Sequence, residues 1–448
     1  VRRPVIPAAI AHPVRLLPLS FLALILVGTL LLLLPFTRTG PYELDFMAAF
    51  FTSGSAVTVT GLANVDTATY WTPAGQAIIL FLVEVGGLGI IAMATVLGLF
   101  IGGRLGLRTR LVAQADMHVV SLGEVGPLFR RVLVMMLGFQ AAFAAVLVVR
   151  YRGSYYDDWA TSLWHGIFDA VMAFNNAGFS LNSDSLTQYA GDWLVIAPIS
   201  LAVFIGAMGF PVLAELFSGW RTPSRWTIHT RLTVWGSVLL LVLGALTFLA
   251  LEWSNPATFG DYSVGNKILS GLEGSVMTRS GGLNSFDWGE VRPESLSVGT
   301  VLMFIGGGSA STAGGIKITT FLLLAYVIVA ELRGDPQVTV GVRAIGSAVV
   351  RTSLTIALLA VMIVTSATML VMLLSDFTFE DVLFECTSAF ATAGLSTGIT
   401  GELPASAQAV LVGLMFIGRV GTIAAASAFV LRRRAPRYHR PEEQPIIG

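Results

Sequence analysis

Charge is scarce in this chain of 448 residues: Asp, Glu, Lys and Arg make up 12%, against 54% hydrophobic residues. That is about half the charged share of an ordinary soluble domain, and with a mean hydropathy of +0.77 it nearly excludes a water-soluble protein. Cysteine is scarcer still. Cys386 stands alone, so neither an intrachain disulfide nor a thiolate metal site can form, and a small buried core residue is the reading that fits. The five histidines, His12, His118, His165, His229 and His439, have no ligand spacing, so no transition-metal site follows. HExxH, Gly-x-Ser-x-Gly and paired intramembrane aspartates are all missing, which argues against an enzyme working inside a membrane. Net charge is absent as well, since 27 basic residues balance 27 acidic ones. No global field then points to nucleic acid or an acidic substrate, and charges inform only by position.

Long hydrophobic runs, by contrast, are plentiful. A bilayer core needs about 20 mostly apolar residues per helix. Eight stretches qualify, near 18–35, 74–101, 130–149, 193–217, 231–252, 297–330, 351–374 and 405–431. Within each successive pair lies a stretch too short to cross, near 46–58, 163–175, 266–278 and 380–391. Arg2, Arg3 and Arg15 ahead of the first run superficially resemble a signal peptide, but no small-residue cleavage site follows, and the run reads as a membrane helix. Most of the 27 basic residues lie in the terminal segments and between pairs, as with Arg104, Arg108, Arg110, Arg130 and Arg131, then Arg221, Arg225 and Arg231, then Arg432, Arg433 and Arg434. Loops inside pairs hold only Arg38, Arg150, Arg152, Lys267, Arg279 and Arg292. Since cytoplasmic loops retain positive charge, both termini are expected in the cytoplasm, with the short stretches dipping in from outside.

A glycine follows each short stretch: Gly61 in TVTGL, Gly178 in NNAGF, Gly282 in RSGGL and Gly394 in ATAGL. Aligned on these, the pairs agree where the alignment imposed nothing. Leu62, Phe179, Leu283 and Leu395 come next, and nine positions earlier stand Thr52, Asp169, Glu273 and Glu385. A second signature begins at FLVEVG from Phe81, FIGAMG from Phe204, FIGGGS from Phe304 and FIGRVG from Phe416. A period of roughly 110 residues marks internal repeats. The expected fold is therefore an all-α polytopic membrane protein with eight spans, built from four units of helix, re-entrant pore helix and helix around one pseudo-fourfold pore. The units are 1–101 with the N-terminal tail, 130–217, 218–335 with a broken last span, and 336–431. A cytosolic linker occupies 102–129 and a cytosolic tail 432–448.

Irregular backbone at membrane depth is tolerated only where protein or a water-filled cavity surrounds it, so four re-entrant turns should converge on a pore axis. Glycine permits positive φ and leaves no side chain in the way of its carbonyl. A ring of carbonyls can replace the water stripped from K⁺, which makes Thr60, Gly61, Ala177, Gly178, Gly281, Gly282, Ala393 and Gly394 the candidate filter. Each short helix would aim the negative end of its macrodipole at the cation, and Asp169, Glu273 and Glu385 are expected near the opposite, positive ends.

These turns, together with GGGSASTAGGIK at 306–317, resemble the membrane subunits of the Trk/Ktr/HKT superfamily of K⁺ transporters over the whole chain. With eight spans the chain is more similar to the Ktr type. The resemblance implies K⁺ uptake across the cell membrane, a homodimer with one pore per subunit, and gating by a cytosolic nucleotide-binding regulatory subunit of the RCK type. No organic cofactor is implied. Glycine at Gly61, Gly178, Gly282 and Gly394 is the family pattern associated with K⁺ preference, with Na⁺ as the alternative cation. The third turn departs, reading SGGL where relatives commonly have TAGF, and Gly281 is expected to loosen that quarter and weaken discrimination.

The glycine-rich segment cannot continue a helix. Gly306, Gly307, Gly308, Ser309, Gly314, Gly315 and Lys317 read either as a gating loop or as a packing kink. Lys317 would repel cations at the inner mouth or simply snorkel. Glu84 and Arg419 occupy equivalent places in the first and last units, where an ion pair would brace the pore, or Arg419 would face the cavity alone. Arg279 is expected to turn toward Glu273 or Asp287, while Asn175, Asn176 and Asn284 brace the turns. The linker and basic tail suit either anionic lipid or a regulatory partner. An ion-coupled carrier of organic solutes would show two inverted halves rather than four like units, and a scaffold would not require re-entrant turns.

Overall fold

The computed structural model describes residues 13–40, 45–101, 125–341 and 343–421. Expectations for Arg2 and Arg3, for most of the linker (102–124) and for the tail lie outside the described residues.

The described residues are mostly helical. Helices α1 (Pro13–Leu32), α2 (Phe46–Thr58), α3 (Thr67–Tyr70) and α4 (Pro73–Ile101) come first. They are followed by α5 (Val125–Ser154), α6 (Trp159–Asn175), α7 (Trp193–Met208) and α8 (Phe210–Gly219). Next come α9 (Ile228–Glu252), α10 (Val264–Met277), α11 (Pro293–Phe304) and α12 (Ile318–Arg333). The last are α13 (Ser347–Leu374), α14 (Phe379–Ala391) and α15 (Ala405–Phe416), which continues as a π-helical turn over Ile417–Gly421. One departure from the all-helical expectation is a two-residue hairpin, β1 (Thr339–Val340) with β2 (Arg343–Ala344), which extends the turn ahead of α13.

Among the described residues, three segments are long and apolar enough to cross a membrane, namely Phe129–Ser154 of α5, α9 and α13. Their outer faces carry exposed Leu, Val and Met, such as Val149, Leu243 and Leu358. In lipid that is the expected surface, because apolar side chains gain nothing by leaving it. The stretch 193–217, expected as one continuous span, is instead broken between α7 and α8, which meet at 100°. Gly209 makes the corner with φ 93 and ψ 143, a conformation closed to side chains. A methyl group there would also lie 2.5 Å from the Ser309 carbonyl oxygen. Pro211 in the first turn of α8 then fixes the new direction, since a proline there gives up no hydrogen bond.

The short helices α2, α6, α10 and α14 hold the interior. Each starts at a capping side chain: Asp45 accepts from the Ala48 N–H, Asp158 from Thr161, Ser263 from Asn266 and Thr378 from Asp381. Such caps satisfy donors that the first turn leaves free. The bond from Thr161 holds the Asp158 carboxyl below the usual range. Asp169, Glu273 and Glu385 therefore do not serve the helix starts, as the sequence suggested. They lie in the second half of α6 and α10 and midway along α14, with no more than 1% exposure. The helices that follow the turns link the quarters in order: α4 packs on α6, α7 on α10, α11 on α14, and α15 back on α2.

Candidate functional site

The four short helices end at turns that meet. A left-handed residue opens each turn: Val59 (φ 56), Asn176 (φ 62), Ser280 (φ 86) and Thr392 (φ 47). Thr60, Ala177, Gly281 and Ala393 come next, and then a glycine that is again left-handed, at φ 91 for Gly61, 62 for Gly178, 72 for Gly282 and 88 for Gly394. Left-handed backbone costs a non-glycine residue about 1–2 kcal/mol, so every turn carries two such positions and spends glycine on the inner one.

Neighbouring turns are in backbone contact. A methyl group on Gly61 would lie 2.2 Å from the Ala177 carbonyl oxygen, and one on Gly178 2.9 Å from the Gly282 Cα. On Gly282 it would lie 2.7 Å from the Ala393 oxygen, and on Gly394 2.2 Å from the Thr60 oxygen. First touches second, second third, third fourth, and fourth first. The order closes into a ring in which no side chain larger than hydrogen fits at the meeting points.

The third turn is built differently. In the other three, the amide between the two left-handed residues donates five residues back, as in Thr60 to Ser55 (2.8 Å), Ala177 to Met172 (2.9 Å) and Ala393 to Ser388 (2.8 Å). Gly281 donates instead to Met277, at 2.8 Å. Helix α10 ends earlier, and a methyl group on Gly281 would lie 2.5 Å from Met277 Sδ and 2.9 Å from its Cα. Glycine at this place answers a lack of room.

Between α11 and α12 the chain leaves the helix and lies across the ring. Its ends are pinched together by the Ile305–Ile316 bridge and by Gly306 N–H donating to the Ile316 carbonyl at 2.9 Å. Thr312 Oγ1 donates to Asn176 Oδ1 at 2.8 Å, and the Gly314 N–H to Ser280 Oγ at 3.3 Å. Ser280 Oγ in turn donates to the Thr392 carbonyl at 2.8 Å. The segment is thus tied to the second, third and fourth turns. The break at Gly209 serves the same contact: Gly308 N–H donates to the Ala207 carbonyl at 2.7 Å, and Phe210 N–H to the Ala310 carbonyl at 3.2 Å.

Two cations hold this segment. Arg419 Nη1 donates to the Thr312 carbonyl and Nη2 to the Gly86 carbonyl of α4 at 3.3 Å. Lys317 Nζ donates to the Ala313 carbonyl at 2.7 Å. The Glu84–Arg419 ion pair expected from the sequence is not formed. Glu84 Oε2 accepts from Asn175 Nδ2 at 2.8 Å and Gln140 Nε2 at 3.0 Å, so it ties α4 to α6 and α5. Equivalent places in two repeats do not ensure facing side chains when one helix carries a π turn, as α15 does at Arg419. Arg279 likewise has neither expected acid. Its guanidinium lies 5.5 Å over the Phe204 ring, a cation–π contact. Glu273 is occupied by Ser285, and Asp287 accepts from the Gly289 N–H.

Against this geometry, known proteins give a clear match. The family described as TrkH, cation transport protein, matches residues 3–438. The chain belongs to the TrkH family. A relative in Bacillus subtilis (strain 168), Ktr system potassium uptake protein B, is 34% identical over 417 residues, covering 93% of each chain. Another, potassium/sodium uptake protein NtpJ of Enterococcus hirae, is 31% identical over 442 residues, 97% of each chain. The crystal structure of the potassium transporter TrkH from Vibrio parahaemolyticus superposes with a TM-score of 0.74 at 19% identity, covering 96% of this chain and 86% of that one. That last likeness is one of fold. The relatives are transport proteins, not enzymes.

Within this TrkH-family chain, several residues at the site escaped sequence reasoning. Ser280, Thr312, Ser285, Ser396 and Gln140 all hydrogen-bond to turns or to the charges around them. Ser280 and Thr312 carried a signal of a kind, since polar residues inside an apolar region must find partners. Nothing in their spacing names the partner. Asn176 and Asn284 donate to the carbonyls of Val203 (3.3 Å) and Phe286 (2.9 Å), whereas Asn175 bonds within its own helix to Val171 (3.0 Å) and to Glu84 (2.8 Å).

Proposed function

We propose that this chain takes up K⁺ through a backbone filter formed by Thr60, Gly61, Ala177, Gly178, Gly281, Gly282, Ala393 and Gly394. The observation that carries the reading is the closed ring of four glycine turns, each with two left-handed residues. Such a ring offers main-chain oxygens in place of a hydration shell. The short helices end there, so their negative poles face the ion. Similarity to potassium uptake proteins over nearly the whole chain supports the cation. In this reading four helix, pore-helix and helix repeats give eight spans in the cell membrane, with both termini cytoplasmic. The segment 306–317 is the barrier on the inner side, held shut by Arg419 and Lys317. A homodimer with a cytosolic RCK-type partner follows from the family resemblance.

A second reading, a poorly selective Na⁺/K⁺ pathway, draws on the different hydrogen bonding of the third turn and on the likeness to the potassium/sodium uptake protein of Enterococcus hirae. Flux of K⁺, Rb⁺ and Na⁺ into vesicles containing the purified protein decides between them. With Gly61, Gly178, Gly282 or Gly394 changed to serine in turn, the K⁺/Na⁺ ratio should fall. A ratio that stays put in all four variants sinks the filter reading, and a ratio near one in the parent chain favours the second.

A further inference from the structure

Behind the third and fourth turns, a buried carboxylate of the same pore helix reaches forward to the strand of chain that leaves the glycine. Glu273 Oε1 accepts from the Ser285 N–H at 3.1 Å, and Oε2 from Ser285 Oγ at 3.0 Å. Glu385 Oε1 accepts from Ser396 Oγ and from the Thr397 N–H at 3.2 Å, while Oε2 accepts from Thr400 Oγ1 at 2.9 Å. Both glutamates are at most 1% exposed.

The second quarter lacks this arrangement for a plain reason. Its acid is an aspartate, one methylene shorter. Asp169 Oδ2 accepts from Tyr151 Oη of α5 at 2.6 Å, and its buried Oδ1 has no hydrogen-bond partner. The chain after Gly178 is tied to the third quarter instead, with Leu186 N–H donating to the Asn284 carbonyl at 2.9 Å. In the first quarter the position is Thr52.

We infer that Glu273 and Glu385 are positioning residues for ion selection: they fix the outgoing limbs of two adjacent turns, so that half of the ring cannot contract around a smaller cation. This rests on the filter reading above. Selection against Na⁺ by a carbonyl ring depends on the ring holding its coordination. The outgoing limbs of the third and fourth turns, held in this way, therefore contribute to the K⁺/Na⁺ discrimination.

The test measures K⁺/Na⁺ flux ratios for Glu385→Asp, Glu385→Gln and Ser396→Ala in vesicles, beside Gly394→Ser as control. Aspartate shortens the reach as in the second quarter, and the ratio should fall by about fivefold, the worth of one hydrogen bond. Total cation flux should persist. Glutamine keeps the reach, accepting from Ser396 and Thr397 and donating to Thr400, and should rescue most of the ratio. Should the aspartate variant fail to fold, Ser396→Ala removes a clamp bond from the other side and should lower the ratio in the same sense. The clamp is overturned if the aspartate or Ser396→Ala variant keeps the parent ratio while Gly394→Ser loses it, or if glutamine loses as much as aspartate. If Gly394→Ser also keeps the ratio, the filter reading itself has failed.

Discussion

Arg419 offers the sharpest test of the segment lying across the ring. It makes one charge-assisted bond to the Thr312 carbonyl inside that segment and one to the Gly86 carbonyl outside it, and so rivets the segment to α4. Hydrogen bonds to charged groups contribute about 1.5–3 kcal/mol each. Of these two bonds only the one to Thr312 must break when the segment moves, because Gly86 belongs to a helix. Arg419→Met should then shift the balance between closed and displaced segment by about 10- to 150-fold. In the proposed reading, where the segment bars the way of the ion, removing this positive charge acts in the same direction, since cations would no longer be repelled there. The assay is the initial rate of K⁺ uptake into vesicles without any regulatory subunit, normalised to protein. At least a tenfold rise is expected, capped by the rate of the fully open pore. Arg419→Lys should fall between, because an ammonium is a single point charge and lacks the planar fork that spans both carbonyls. Uptake unchanged or reduced in Arg419→Met, with thermal melting as in the parent, would refute the idea that this bond holds the barrier.

The remaining expectations concern the ring and its charges. Gly61→Ala adds about 1–2 kcal/mol of left-handed strain to a clash that leaves the new methyl only 2.2 Å from the Ala177 carbonyl oxygen; uptake should be abolished and the melting temperature lowered, and a fully active variant would contradict the contact. Reversing both charges at Glu84 and Arg419 should not restore function, because each side chain bonds to other partners. Rescue in uptake assays by the double reversal would show that the two do meet.

The sequence made the arrangement of the turns legible to a useful depth, and for a physical reason. Glycine at a crowded backbone crossing has no substitute, so Gly61, Gly178, Gly282 and Gly394 stand out wherever the turn recurs. The acid nine residues earlier recurred just as plainly, yet its role was misread. Helix dipole reasoning placed it at a helix start, whereas capping by Asp45, Asp158, Ser263 and Thr378 had already satisfied those ends. What a buried side chain touches depends on helix phase and on where helices break. The corner at Gly209 was hidden because 193–217 is apolar on both sides of it, and hydropathy registers composition, not direction. The partners of Glu84 and Arg279 come from α5, α6 and α7, elements remote in sequence.

The third quarter is the one in which both irregularities coincide: α10 ends early, and the helix after its turn is interrupted. Ser280 shows why these belong together. Its Oγ accepts from the Gly314 N–H of the crossing segment at 3.3 Å and donates to the Thr392 carbonyl of the fourth turn at 2.8 Å. One hydroxyl therefore couples the crossing segment to the ring, and the early end of α10 is what brings it there. Ser280→Ala removes both bonds, worth about 1 kcal/mol each. It should raise basal uptake and lower the K⁺/Na⁺ ratio together, each by about fivefold. Arg419→Met, by comparison, acts on uptake alone, and Glu385→Asp on the ratio alone. Flux and reversal-potential measurements on the three variants separate these patterns. If Ser280→Ala moved only one of the two quantities, the hydroxyl would be a local support, and the irregular third turn would have to be explained by the crowding at Gly281 alone.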